Sequence, residues 1–125
     1  MTTERIMLKP GVWLQYVQTD RFKTGCFSFN LLRPLARSDA APNALLPTVL
    51  LRGCSGYPDM QAISRRLDTL YGASTGTLVR KKGEVQSVGL YADFLEDRYA
   101  GGAPLFSDML DLVGRLLFEP VTVNG

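Results

Sequence analysis

The chain has 125 residues, 46% of them hydrophobic and 21% charged, which is the composition of one ordinary folded domain and not of a disordered segment. With 14 basic against 12 acidic residues, the net charge of +2 gives no reason to expect nucleic acid or another polyanion as a partner. The longest apolar run, Ala44 to Leu51, is interrupted by Pro47 and falls far short of a membrane span, so no membrane association is expected.

In chain order, Met1-Thr2-Thr3-Glu4-Arg5 lacks the apolar core of a signal peptide, and the chain is read as cytoplasmic. Val12 to Thr19 alternates as a strand, with Val12, Leu14 and Tyr16 on one face. After the polar link Asp20-Arg21-Phe22-Lys23, Thr24 to Leu32 alternates again, with Phe27, Phe29 and Leu31 against Ser28 and Asn30. These two runs are expected to pair as an antiparallel hairpin. Arg33 to Pro42 carries the punctuation of a loop. Asn43 to Leu51 reads as a short apolar helix, with Pro47 expected within its first turn or so, because a proline in a helix interior costs about 3 kcal/mol.

A second helix starts after Tyr57-Pro58. Asp59 is a good N-cap, Met60, Ile63, Leu67 and Leu70 recur at helical spacing, and Gly72 is a natural stop. Ser74 to Arg80 and Val85 to Ala92 read as strands joined by the turn Lys81-Lys82-Gly83-Glu84. Asp93 to Gly102 reads as irregular or as a helical turn. Pro104 then opens a third helix whose stripe Leu105, Met109, Leu112, Val113 and Leu116 faces a core. The order strand-strand-helix-helix-strand-strand-helix lacks the alternation of a parallel sheet. It predicts an α+β layer, with helices on one face of an antiparallel sheet.

The most informative residue type is one the 125 residues do not contain. They have no histidine, which removes Ser-His-Asp and Cys-His nucleophile systems and every His-ligated zinc site. Cys26 and Cys54 stand far apart, form no C-x-x-C pair and read as free thiols. Arg80, Lys81 and Lys82 read as a solvated hairpin tip, since no aromatic platform accompanies them. Asp108 and Asp111 lie three apart on a helix and are weighed as a cation pair against an exposed polar face. Glu96 and Asp97 are adjacent and would not face each other on a helix. Gly53-Cys54-Ser55-Gly56 is not a nucleophile elbow, because Tyr57 stands where the pattern needs glycine.

Specific residues now meet this element order. The stretch from Ala44 through Arg52-Gly53, then Tyr57-Pro58 and Leu67-Asp68-Thr69-Leu70-Tyr71-Gly72-Ala73-Ser74, resembles the insulinase/pitrilysin-type zinc metallopeptidases, the inverzincins. Leu116-Leu117-Phe118-Glu119-Pro120 looks like the end of that family's following helix. The resemblance spans about residues 4 to 120 and implies a LuxS/processing-peptidase-like fold. The family run is H-x-x-E-H, a few apolar residues, then a basic residue and glycine. Its two histidines bind zinc from one helix face, and its glutamate acts as general base on the zinc-bound water. Aligned on Arg52-Gly53, those positions fall at Ala44, Pro47 and Thr48.

Alanine and proline carry no donor atom, and threonine is a poor zinc ligand. The resemblance therefore implies a non-catalytic bacterial member with no catalytic residues, no cofactor and no metal. Such members commonly sit beside an active sister subunit that carries H-x-x-E-H, and a peptide is a possible ligand. Residues 1–125 are read as the N-terminal part of one such domain, cut short, and self-association is expected through the 104–118 helix or a sheet edge. The readings weighed against this one are an enzyme of unrelated carboxylate chemistry on the same fold and a plain interaction domain.

Overall fold

The computed structural model describes residues 1–122. Its elements run β1 (Thr2–Lys9), β2 (Val12–Gln18), β3 (Thr24–Pro34), α1 (Ala40–Leu50), α2 (Met60–Thr69), β4 (Ser74–Lys82), β5 (Val85–Leu95), a 3-10 turn (Asp97–Ala100) and α3 (Leu105–Phe118). The class is α+β, with two antiparallel sheets and three α-helices. Among the described residues no helix is long and apolar enough to cross a membrane.

The expected β2–β3 hairpin does not form. β2 pairs instead with β1, a strand that the sequence reading passed over, from Thr2 opposite Gln18 to Lys9 opposite Val12. The physical reason lies in the connections. Pro10-Gly11, with Gly11 at φ +79°, closes β1 onto β2 in a tight turn. The longer link Thr19 to Lys23 releases β3 from β2. β3 then pairs along its whole length with β5, from Thr24 opposite Leu95 to Pro34 opposite Val85. β4 takes the other edge of β5 through the Gly83-Glu84 turn, so the second sheet has the order β3-β5-β4.

Alternation along β5 decides where the core lies. Val88, Leu90, Ala92 and Phe94 are buried on one face, and α1 and α3 both pack there. The α3 stripe Leu105, Met109, Leu112, Val113 and Leu116 is at most 1% exposed. Each such side chain is worth about 1.5–3 kcal/mol over an exposed one. Phe27 of β3, Phe94 of β5 and Phe106 of α3 meet with ring centroids 5.2 to 6.0 Å apart, which fastens the start of α3 to two strands at once. α3 has a wider cover than a single hairpin. A three-stranded sheet lies beneath it, and Phe106 and Phe118 are the large apolar side chains of α3 that remain exposed.

α1 is the second correction. It begins at Ala40, not Asn43, so residues 40 to 46 precede Pro47 inside the helix, about two turns. Pro47 is therefore interior, and its side chain is fully buried. This burial offsets the lost N–H bond, in a helix that packs on β4 and β5. Pro42 misled the reading as loop punctuation. It occupies the third helical position, where an N–H has no intrahelical partner to lose. The start of α1 is tethered by Gln86, itself 6% exposed. Its Nε2 donates to the Ala40 carbonyl at 2.9 Å, and its Oε1 accepts from Asn43 Nδ2 at 3.5 Å.

α2 follows its sequence signals closely. Asp59 Oδ1 accepts from the Ala62 N–H at 2.7 Å, and Ile63 and Leu70 enter the core.

Candidate functional site

The candidate site is α1, the helix on which the family resemblance would place a zinc motif. Ala44 and Pro47 lie on the inner side of α1, Ala44 half-buried and Pro47 fully buried, while Thr48 is exposed. These three positions bring one hydroxyl and no nitrogen, sulfur or carboxylate donor to the helix. The outer side of α1 presents Leu45, Leu46 and Val49, all exposed. A helix that is apolar on both sides is typical of an element covered on both sides.

The segment after α1 is held by a backbone clamp. Cys54 and Tyr57 exchange backbone hydrogen bonds of 2.8 and 3.0 Å, the Ser55 N–H donates to the Glu119 carbonyl at 2.9 Å, and the Val121 N–H donates to the Gly53 carbonyl at 3.2 Å. Arg115 Nη1 adds a bond to the Ser55 carbonyl at 3.3 Å. Gly53 is needed here for space: a Cβ would stand 2.6 Å from the Pro58 carbonyl oxygen. The stretch Gly53 to Gly56 is thus a structural joint between the α1–α2 link and the chain leaving α3. Cys54 is 1% exposed, and burial pushes its thiol pKa up despite the opposing charge of Arg115. It is an inert thiol. Cys26 is free and exposed on β3.

The other sequence candidates separate. Asp108 pairs with Arg66 of α2 at 3.4 Å, and Asp111 pairs with Arg115 at 3.0 Å, so the two carboxylates serve different cations. Glu96 pairs with Arg98 at 2.8 Å. Asp97 has a role that the sequence reading missed. α3 starts at Pro104 with no side-chain cap of its own, and Asp97 Oδ1 accepts from the Phe106 N–H at 3.1 Å instead. The signal was available: a helix opening on proline, with no Ser, Thr, Asp or Asn beside it, needs a cap from elsewhere. Arg80, Lys81 and Lys82 are exposed at the end of β4, as a solvated tip would be. Among the described residues, no group of three or more Cys, Asp or Glu side chains is placed to hold a metal ion.

Two surface concavities accompany these elements. The larger, about 500 Å³, lies beside β2 and the 3-10 turn and contains Glu96 and Arg98, which neutralise each other. The smaller, about 290 Å³, lies at one end of the three-stranded sheet and contains Tyr71 and Asp93.

With this geometry in place, comparison with known proteins adds a direction. Over 111 residues the chain is 34% identical to a Bacillus subtilis (strain 168) protein named "Probable inactive metalloprotease YmfF", covering 88% of this chain and 26% of that protein. The chain resembles an inactive metalloprotease. A crystal structure of a conserved protein from Enterococcus faecalis V583 superposes with a TM-score of 0.92 at 25% identity, over 98% of this chain and 29% of that one. The chain thus spans about a quarter of the length of the curated relative it matches. No family model matches it. The name of that relative agrees with the chemistry of α1, where neither Ala44 nor Pro47 offers a metal ligand or a base.

Proposed function

We propose that this chain belongs to a catalytically inactive homologue of the insulinase/pitrilysin-type peptidases, forming part of one such domain and acting as a structural or peptide-binding subunit beside an active sister zinc peptidase in the cytoplasm. The observation that carries the proposal is α1. The helix that should present two histidines and a glutamate presents Ala44, Pro47 and Thr48, and the Pro47 side chain is fully buried rather than open to a substrate. The similarity to a protein named as an inactive metalloprotease supports the same reading. An inactive homologue keeps its fold when another role depends on it. The outer side of α1, with Leu45, Leu46 and Val49, offers an apolar surface for protein contact, by a sister subunit or by a second copy.

The test is to isolate the intact protein from its own host and identify what accompanies it by mass spectrometry. A partner chain bearing H-x-x-E-H, with chelator-sensitive peptidase activity in the complex and none in the isolated protein, is the expected result. Chelator-sensitive peptidase activity in the isolated protein would overturn the proposal, and so would purification without any such partner.

A further inference from the structure

The smaller concavity combines features that the packing of the fold does not require. Tyr71 has φ +60°, the one non-glycine positive φ among the described residues, and Gly72 follows at +69°. Tyr71 comes just after the end of α2, where glycine is the usual residue because a side chain in this conformation costs about 1–2 kcal/mol. Burial does not compensate that cost, since Tyr71 is 59% exposed. Its hydroxyl lies 3.5 Å from the Ala100 carbonyl, at the outer limit of a hydrogen bond. A strained, exposed aromatic residue at the rim of a cavity points to use by a ligand.

The charge in the same cavity is also unanswered. Asp93 is exposed and takes part in none of the ion pairs or side-chain hydrogen bonds among the described residues. Arg98, five residues on, and Lys23, next to the cavity residue Thr24, are engaged elsewhere: Lys23 Nζ lies 5.7 Å and the Arg98 guanidinium 4.9 Å from the centre of the Tyr99 ring, and Arg98 also pairs with Glu96. Buried Phe94 contributes an apolar wall, and Thr24 and Ser74 contribute hydroxyls. We propose that this cavity binds the basic side chain of a peptide, a guanidinium or alkylammonium group. Asp93 supplies the counter-charge, the Tyr71 ring a cation–π face, and Thr24 and Ser74 hydrogen-bond acceptors. The larger concavity differs in holding a guanidinium of its own, Arg98, paired with Glu96, beside Asp20. The inference stands apart from the inactive-peptidase reading and holds or fails without it.

The experiment is an NMR titration of the intact protein with N-acetyl-arginine amide and with its uncharged isostere N-acetyl-citrulline amide. The arginine compound is expected to shift resonances of residues 71–74 and 93–95, and the citrulline compound to leave them in place. Asp93→Asn is expected to weaken binding by about fivefold or more. Tyr71→Phe keeps the ring and the binding. Tyr71→Gly relieves the backbone, so it folds at least as stably as the parent and yet binds more weakly, which a purely structural role for the ring does not predict. Equal shifts with both compounds, no shift with either, unchanged binding in Asp93→Asn, or unchanged binding in Tyr71→Gly would each overturn the proposal.

Discussion

Replacing Asp97 by alanine tests how α3 is anchored. The helix opens on Pro104, which supplies no capping side chain, and the carboxylate that accepts from the Phe106 N–H at 3.1 Å comes from seven residues before that proline. A lost N-cap acceptor costs about 1 kcal/mol. A negative charge beside a helix N-terminus is worth about 0.5 kcal/mol more at low salt. Asp97→Ala should therefore lose about 1.5 kcal/mol, or about 4–7 °C in Tm for a chain of this size. Asp97→Asn keeps an acceptor oxygen and loses only the charge, so it should lose about 0.5 kcal/mol. Urea unfolding followed by far-UV circular dichroism measures both. High salt should shrink the deficit of the asparagine variant and leave most of the alanine deficit in place. An asparagine variant as damaged as the alanine variant, or an alanine variant within about 0.3 kcal/mol of the parent, would refute the view that Asp97 caps α3.

Two glycine-to-alanine changes should have opposite signs. Gly53→Ala should destabilise by about 1–3 kcal/mol, because the new Cβ stands 2.6 Å from the Pro58 carbonyl oxygen. Gly114→Ala, in the middle of α3 with no atom within 4 Å of its Cβ, should stabilise by about 0.5–1 kcal/mol in the same unfolding assay. Thiol titration with a disulfide reagent should label exposed Cys26 at once and buried Cys54 only on unfolding. Burial raises the Cys54 pKa, so the folded state keeps a proton that the unfolded chain gives up in alkali. Its contribution to stability is present below the unfolded thiol pKa and is lost as pH rises beyond it. Elemental analysis of untagged protein should find no stoichiometric zinc, and one zinc per chain surviving mild chelation would contradict the reading of α1.

The helices were legible where local chemistry and burial agree. Asp59 announces α2 by capping it, and the stripe Leu105, Met109, Leu112, Val113 and Leu116 announces the buried side of α3, because a helix repeats its face every three or four residues. The strands were legible as strands but not as partners. β3 looks equally able to pair with β2 next to it or with β5 more than fifty residues away, since alternation fixes which side chains share a face and leaves the choice of neighbouring strand open. β1 was not legible by pattern, because Thr2–Lys9 shows no clean alternation and is exposed throughout, and only Pro10-Gly11, the turn that makes a hairpin of its flanks, marks it. α1 was placed three residues late because proline was read as punctuation, although the first turn of a helix has no N–H bond for it to break.

The sequence by itself determined the chemistry that this chain lacks. No histidine occurs among the 125 residues, and Ala44, Pro47 and Thr48, where the family resemblance would place a zinc motif, carry no histidine or carboxylate, a statement about residue types that no fold can alter. It also determined the class, because helical and strand periodicities are local properties. The tertiary structure decided which groups meet: Asp97 with the start of α3, Gln86 with the start of α1, Gly53 with Pro58, and Tyr71 with Asp93 at one cavity. Those contacts join residues from five to forty-six positions apart, and chain sequence encodes the longer of these distances only through the packing of the whole core.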